Sequence, residues 1–253
     1  MTLLMNSPVL LFVLSLVALW VAAQAGVFAR KGHSGMEGQA QEDFTLISGA
    51  TLTLLGLIIG FTFSMAVNRY DQRKNLEESE ANAIGTEYLR ADLLPAADAA
   101  KVRGLLKQYL DQRILYYLSR HAEHLSQIKT DTARLQNELW SAVKGPAAAQ
   151  PTVMNGLAVS GMNDVLNSEG YTQAGWRNRV PTAAWILLVA IAIFCNVLLG
   201  YGAHDRSGFL LLVLPIALAI SFFLIADIDS PRGGVIRVLP QNLESLAESL
   251  RGE

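Results

Sequence analysis

The chain has 253 residues, 51% of them hydrophobic and only 17% charged, with a formal net charge of -2. It is more apolar and less charged than an ordinary soluble domain, and it is near neutral with no basic tract or aromatic-interleaved patch, which excludes a nucleic-acid binder. The apolar residues are clumped into four uncharged runs, 8–28, 44–67, 182–201 and 209–226. Each approaches the roughly 20 residues that cross a hydrocarbon core about 30 Å thick, so all four are read as transmembrane helices.

The first run ends in AAQAG, which resembles a signal-peptide cleavage site. The preceding MTLLMNSP carries no Lys or Arg and the run is long, so the helix is read as retained. A short loop at 29–43, with Arg30 and Lys31, leads to the second run.

That second run carries a pattern of small residues. Gly49, Thr53, Gly56, Gly60 and Ser64 are spaced four, three, four and four apart and share one helix face. Such a face lets another helix approach closely, as in GxxxG packing, with Gly49, Thr53, Gly56 and Gly60 as the contact residues. Alternatively, this face or the phenylalanines beside it lines a pore between subunits. Phe61, Phe63, Ser64 and Asn68 are the candidates for a pore neck. An apolar constriction gates by dewetting, and aromatic ring edges are mildly positive toward a partly dehydrated anion. Arg69, where the helix enters water, would attract anions as a ring of charge at the pore mouth; the same residue suits a snorkelling anchor.

The helix continues to about residue 94, where LLP ends it. Leu76, Ile84 and Tyr88, with Ala81 and Ala91, form an apolar stripe. Glu77, Glu78, Glu80 and Glu87 have no His or Cys at ligand spacing and are read as solvated or structural charges. A second helix is expected from about Asp98 to Val143, stopping at KGP, and a third over 152–166. HAEH at 121–124 lacks the i, i+4 histidine pair of a metalloprotease helix. NSEGYTQAG reads as turns, and Arg177 and Arg179 follow at the height of lipid headgroups. Two or three long helices cover their apolar faces poorly, so copies of the same chain are the expected cover.

Runs three and four contain no Asp, Glu, His, Lys or Arg; the polar groups there are hydroxyls, Cys195 and Asn196. Ion-coupled pumps usually place ionisable groups inside the bilayer, so passive conduction or a structural role fits better. Pro215 is placed to bend the fourth helix. A single cysteine excludes a disulfide framework. After the fourth run come Asp227 and Asp229, then Ser230, Pro231 and two glycines. This reads as a turn in which Asp229 caps a segment or pairs with Arg69 or Arg232. Both carboxylates also count as candidate pore-mouth charge, though two carboxylates make a poor calcium cage.

The chain therefore divides into a transmembrane hairpin (1–67), a helical domain (68–180), a second hairpin (181–228) and a tail (229–253). Arg69, Arg73, Lys74, Arg177, Arg179, Arg232 and Arg237 lie on one side, against Arg30, Lys31 and Arg206 on the other. The positive-inside rule then makes the helical domain, the tail and both termini cytoplasmic, in a multi-pass membrane protein. There is no nucleophile elbow, phosphate-binding glycine loop, catalytic triad or metal-ligand set, so neither an enzyme nor a metal or cofactor is expected.

GFTFSMAVNRYDQR, EANAIGTEYLRADLLP and ADIDSPRGGVIRV resemble recurring segments of a bacterial membrane family labelled bestrophin-like, and the likeness runs from the second span to the tail. Bestrophins are pentameric anion channels with four membrane helices, cytosolic termini and a helical cytosolic body, and their second membrane helix lines the pore with a hydrophobic neck. The resemblance implies an all-α membrane protein of that architecture, with the neck at about Phe61. The acidic run that forms the bestrophin calcium clasp has no counterpart beyond Asp227 and Asp229, so calcium gating is not implied. The expected function is a passive channel for chloride or small organic anions, formed by a homo-oligomer, a pentamer being favoured. The rival readings are a non-conducting scaffold or sensor whose cytosolic helices bind a partner, and a small-anion transporter.

Overall fold

A computed structural model describes residues 7–30, 38–120, 122–203 and 209–252. Lys31, Arg206 and His121 lie outside the described residues. Described residues form α1 (Pro8–Arg30), α2 (Gln39–Arg90), a 3₁₀ turn (Ala91–Leu93), α3 (Ala96–Leu118), α4 (Ala122–Ala149), α5 (Val153–Arg177), α6 (Thr182–Gly202), α7 (Leu210–Asp229) and α8 (Gln241–Arg251), with no strand among them. The expected all-α class with four apolar spans is what the chain adopts: four of its helical stretches are long and apolar enough to cross a membrane. The contacts divide the chain into two compact units, Met1–Arg69 with Arg179–Arg237, and Tyr70–Asn178 with Val238–Glu253.

In the first unit α1 packs against α6 and α7. Glycine makes the α1–α6 contact possible. A Cβ on Gly26 would run into the Val197 carbonyl oxygen, and one on Gly200 into that of Ala23. Backbones this close exchange dispersion contacts that larger side chains would forbid. Trp185 of α6 meets Phe222 of α7 edge to face, with ring centroids 6.3 to 6.4 Å apart as in the similar Phe12–Phe223 pair between α1 and α7.

The second unit is a helical bundle with its own core, in which Ile84 of α2, Leu106 and Tyr109 of α3, Leu139 of α4, Met162 of α5 and Leu243 of α8 are buried together. This corrects three expectations. The helix anticipated over 98–143 is two helices, because the chain turns at Ser119, which is extended (φ -70°, ψ 130°) and ends α3. α4 then runs through Gly145 and Pro146 to Ala149, so KGP does not stop it. α5 does not end near 166: Ser168, Thr172, Gly175 and Trp176 fall at helical spacing on its buried face, and tertiary packing turns the turn-rich NSEGYTQAG into helix. Thr152 caps α5, its side-chain oxygen accepting from the Asn155 N–H at 3.1 Å. The amphipathic α8 was not foreseen; it adds Leu243, Ala247 and Leu250 to the core. The bundle therefore covers much of its apolar surface from within the chain. Apolar side chains are still left outside, among them Val153 (83% exposed), Met154, Leu157 and Tyr171.

Candidate functional site

The apolar half of α2 is almost bare within the chain. Only 6% of its apolar window is buried, against 50% for α7. Leu55, Thr62 and Ala66 are the buried positions, spaced seven and four apart, so a single narrow strip touches the rest of the unit. Phe61 (63% exposed), Ser64 and Asn68 share a different face, at i, i+3 and i+7, and all are exposed. At 100° per residue Phe63 projects about 160° away from Phe61, so the two rings occupy opposite edges of the helix. Gly49, Gly56 and Gly60 form an open groove: a Cβ on any of them would meet nothing within 4 Å. Thr53, in the same groove, gives its hydroxyl proton to the Gly49 carbonyl at 2.9 Å, and Thr62 does the same to Ile58 at 2.8 Å. Ser64 is exposed on the Phe61 face. Arg69 is partly exposed at the end of this half.

The polar half of α2 is a spine for the second unit. Arg73 donates to the carbonyls of Gly175 and Asn178 at 3.4 and 3.2 Å, satisfying the C-terminal end of α5. One turn on, the Glu77 carboxylate accepts from the backbone N–H groups of Asn242 and Leu243 at 2.9 and 3.0 Å and from the Asn242 side chain. It thereby caps the N-terminus of α8, where a negative charge also meets the helix dipole. Glu80 is fully buried and paired with Arg113 of α3, and it accepts hydrogen bonds from Tyr117 (3.2 Å) and Thr172 (3.0 Å). Arg113 also lies 3.6 Å from Glu169 and over the Tyr116 ring. Burial is the largest single influence on Arg113 and acts to lower its pKa; Glu80, Tyr109 and Glu169 together outweigh it, and the net direction is upward.

Glu87 differs from the other three. Its side chain is fully buried, both carboxylate oxygens lack a hydrogen-bond partner, and it presses into the notch left by Gly161 of α5. Burial, only partly offset by Arg90 and reinforced by Asp164, raises its pKa from 4.5 to about 8. Of the four glutamates, three are buried and structural and Glu78 is exposed. The signal was present: 77, 80 and 87 share the stripe that holds Ile84, and Arg113 sits among Leu106, Tyr109, Leu110 and Tyr117 on the apolar face of α3. Reading the four as solvated or structural charges covers both outcomes, but spacing along α2 does not name partners that lie on other elements.

Asp227 and Asp229 are 2% and 3% exposed. The Asp227 carboxylate accepts from the N–H groups of Val235 and Ile236, each at 2.8 Å, and closes the Ser230–Gly234 turn. A Cβ on Gly234 would strike the Asp227 carbonyl, so glycine is required there. Asp229 accepts from the Val180 N–H at 3.0 Å and fixes the approach to α6. Both carboxylates thus hold backbone N–H groups.

Among the described residues, no acid, base and nucleophile are assembled on a shared cavity. What α2 presents is a bare apolar helix half with a groove and an exposed ring face, joined to a half locked by buried charges. Comparison with known proteins bears on the fold. Three crystal structures of a bacterial bestrophin homologue from Klebsiella pneumoniae share the fold. Two are single-residue variants, each 14% identical with a TM-score of 0.68. They match over 95% of this chain and 96% of theirs, and over 97% of this chain and 98% of theirs. The third, solved by Zn-SAD phasing, is 16% identical with a TM-score of 0.65, over 96% of this chain and 95% of its own. No curated protein sequence matches. The bestrophin-like domain profile matches residues 9–243, and the chain belongs to the bestrophin-like family.

Proposed function

We propose that the protein is a homo-oligomeric, passive anion channel of the bacterial inner membrane in which copies of α2 surround the pore. One observation carries this reading: the apolar half of α2 is the least covered of the spanning segments, while α1, α6 and α7 pack on one another. A helix lying against lipid alone has no need of a groove open to a partner backbone, whereas a ring of copies uses it for close packing. Membership of the bestrophin-like family supports the same reading.

In the assembly, a pentamer by analogy with the family, Gly49, Thr53, Gly56 and Gly60 receive the neighbouring copy. Phe61, Ser64 and Asn68 face the axis. The Phe61 ring edges and the Ser64 hydroxyl meet a partly dehydrated chloride or small organic anion, and an apolar neck this narrow closes by dewetting. Phe63, on the other edge of the helix, packs against the neighbour. Arg69 sits at the wide mouth and concentrates anions there. Asp227 and Asp229 contribute mainly by holding the turn and the start of α6, since their charge is already taken up by backbone N–H groups. Both termini and the second unit are cytoplasmic. The exposed Val153, Met154 and Leu157 belong to contacts between copies, because unpartnered apolar clusters of this kind mark interaction surfaces.

Purified protein reconstituted in liposomes tests the proposal. Chloride efflux that rises when Phe61→Ala widens the neck is expected; no anion flux from either protein would defeat it.

A further inference from the structure

A second feature of the first unit lies away from the neck. Between the start of α2, the end of α6 and the start of α7 is a pocket of about 550 Å³. Phe44, Ser48 and Leu52 of α2 form one wall, and Cys195 and Leu199 of α6 the other. The size and the mostly apolar lining are those of a small-molecule site. The lining has a gradient. Leu52 and Cys195 lie deepest along their helices, and Gln41 and the carbonyl-bearing Gly202 and Ala203 lie at the end where the spans finish. The Ser48 hydroxyl is buried with no hydrogen-bond partner among the described residues, so the wall contains one unsatisfied polar atom. At the mouth the guanidinium of Arg30, from the end of α1, donates to the carbonyls of Gly202 and Ala203. Those bonds use one of its nitrogens and leave other donors for an acceptor outside the chain. Glu42, exposed in the first turn of α2, gives the same end of the bundle a negative charge as well.

We infer that this pocket is a phospholipid site: one acyl chain fills the space between α2 and α6, the phosphate rests on Arg30, and a headgroup ammonium meets Glu42. The charge pattern selects the occupant. A phosphate is a bidentate acceptor suited to a guanidinium, and the carboxylate at the same end favours a zwitterionic headgroup over an anionic one. A helix from a second copy would fill the apolar part and leave both kinds of charge at the mouth unanswered. A lipid here wedges α2 away from α6. The inference does not rest on conduction.

The test uses the full-length protein, stripped of lipid in detergent and titrated with phosphatidylethanolamine, with bound lipid counted by native mass spectrometry. One phosphatidylethanolamine per chain is expected, retained more tightly than phosphatidylglycerol. Leu52→Trp and Leu199→Trp, which fill the pocket from opposite walls, should each remove it. Arg30→Gln should weaken it about tenfold, the size of one lost charge-assisted hydrogen bond. Cys195 is the chain's single cysteine and gives a second readout. Phosphatidylethanolamine at ten times its dissociation constant should slow its reaction with a small neutral thiol reagent about tenfold. Lipid counts that are unchanged in both tryptophan variants overturn the assignment. So does protection of Cys195 that needs no lipid and disappears when the protein is diluted to monomers, because the occupant is then a second copy.

Discussion

The two halves of α2 invert the usual relation between polarity and burial. From Phe44 to Val67 the helix has no charged residue, yet most of it is uncovered by the chain. From Tyr70 to Arg90 it carries Arg73, Glu77, Glu80 and Glu87, and all four are buried. The physical reason is solvent. An apolar helix half in lipid gains little from covering itself with its own chain, since hydrocarbon is as good a neighbour as leucine. A half that folds in water must bury its stripe, and any charge on that stripe is buried too and needs a partner. Each such residue holds a different element: Arg73 the end of α5, Glu77 the start of α8, Glu80 the middle of α3. The lesson is that fold specificity sits in the charged half, while the apolar half is left available for contacts outside the chain.

That contrast makes graded predictions. Breaking the central pair should cost most. Arg113→Ala leaves the Glu80 carboxylate buried and unpaired, and the loss should be about 3–5 kcal/mol, read as the denaturant midpoint of the detergent-solubilised protein. The double change Glu80→Leu with Arg113→Met should recover most of it, because desolvation of two charges is removed together. A double variant as unstable as the single one would show that the pair is not the cause.

Next comes Glu87, where pH supplies the readout. Below pH 4.5 the carboxyl is protonated both folded and unfolded. Between 4.5 and about 8 the unfolded chain is ionised while the folded one keeps its proton. Folding takes up a proton over that window, so rising pH destabilises the wild type by up to about 1.4 kcal/mol per unit. Above about 8 both states are ionised and the loss is complete. Glu87→Gln should lack this slope, and its advantage in thermal midpoint should grow from pH 5 to 8 and then level off. Parallel profiles for the two proteins would remove Glu87 from the account.

The smallest effect separates two kinds of glycine. Gly26→Leu forces a side chain into the Val197 carbonyl and should destabilise the chain by about 1–3 kcal/mol. At Gly56 an added Cβ meets nothing within 4 Å in its own chain, so Gly56→Leu has open space to enter. It should leave the unfolding midpoint of dissociated protein unchanged and shift the assembly toward monomer, as measured by sedimentation. Equal destabilisation of the single chain by both would close the groove to the neighbour it is proposed to receive.

The four spans, the helix end at LLP and the stripe of Ile84, Tyr88 and Ala91 were readable because apolar period and length report directly on lipid and core. What stayed hidden depended on tertiary partners. The break at Ser119 has no Gly or Pro to announce it, and Pro146 does not stop the helix in which it stands. The small-residue contact that the chain itself makes is Gly26 against Gly200, on α1 and α6, where two isolated glycines gave no repeat to notice. Asp229 was expected to cap a segment or to pair with Arg69 or Arg232; it accepts from the Val180 N–H, a partner 49 residues away that only the folded chain identifies.

The central claim is that the bare face of α2 belongs to an axis shared by identical copies. Electron microscopy of the purified particle, viewed down its symmetry axis, tests it most directly. The account predicts a closed ring of chains, five by family analogy, with a continuous opening narrowest at Phe61. A monomer, or a ring whose centre is filled by another helix with Phe61 turned to lipid, would contradict it.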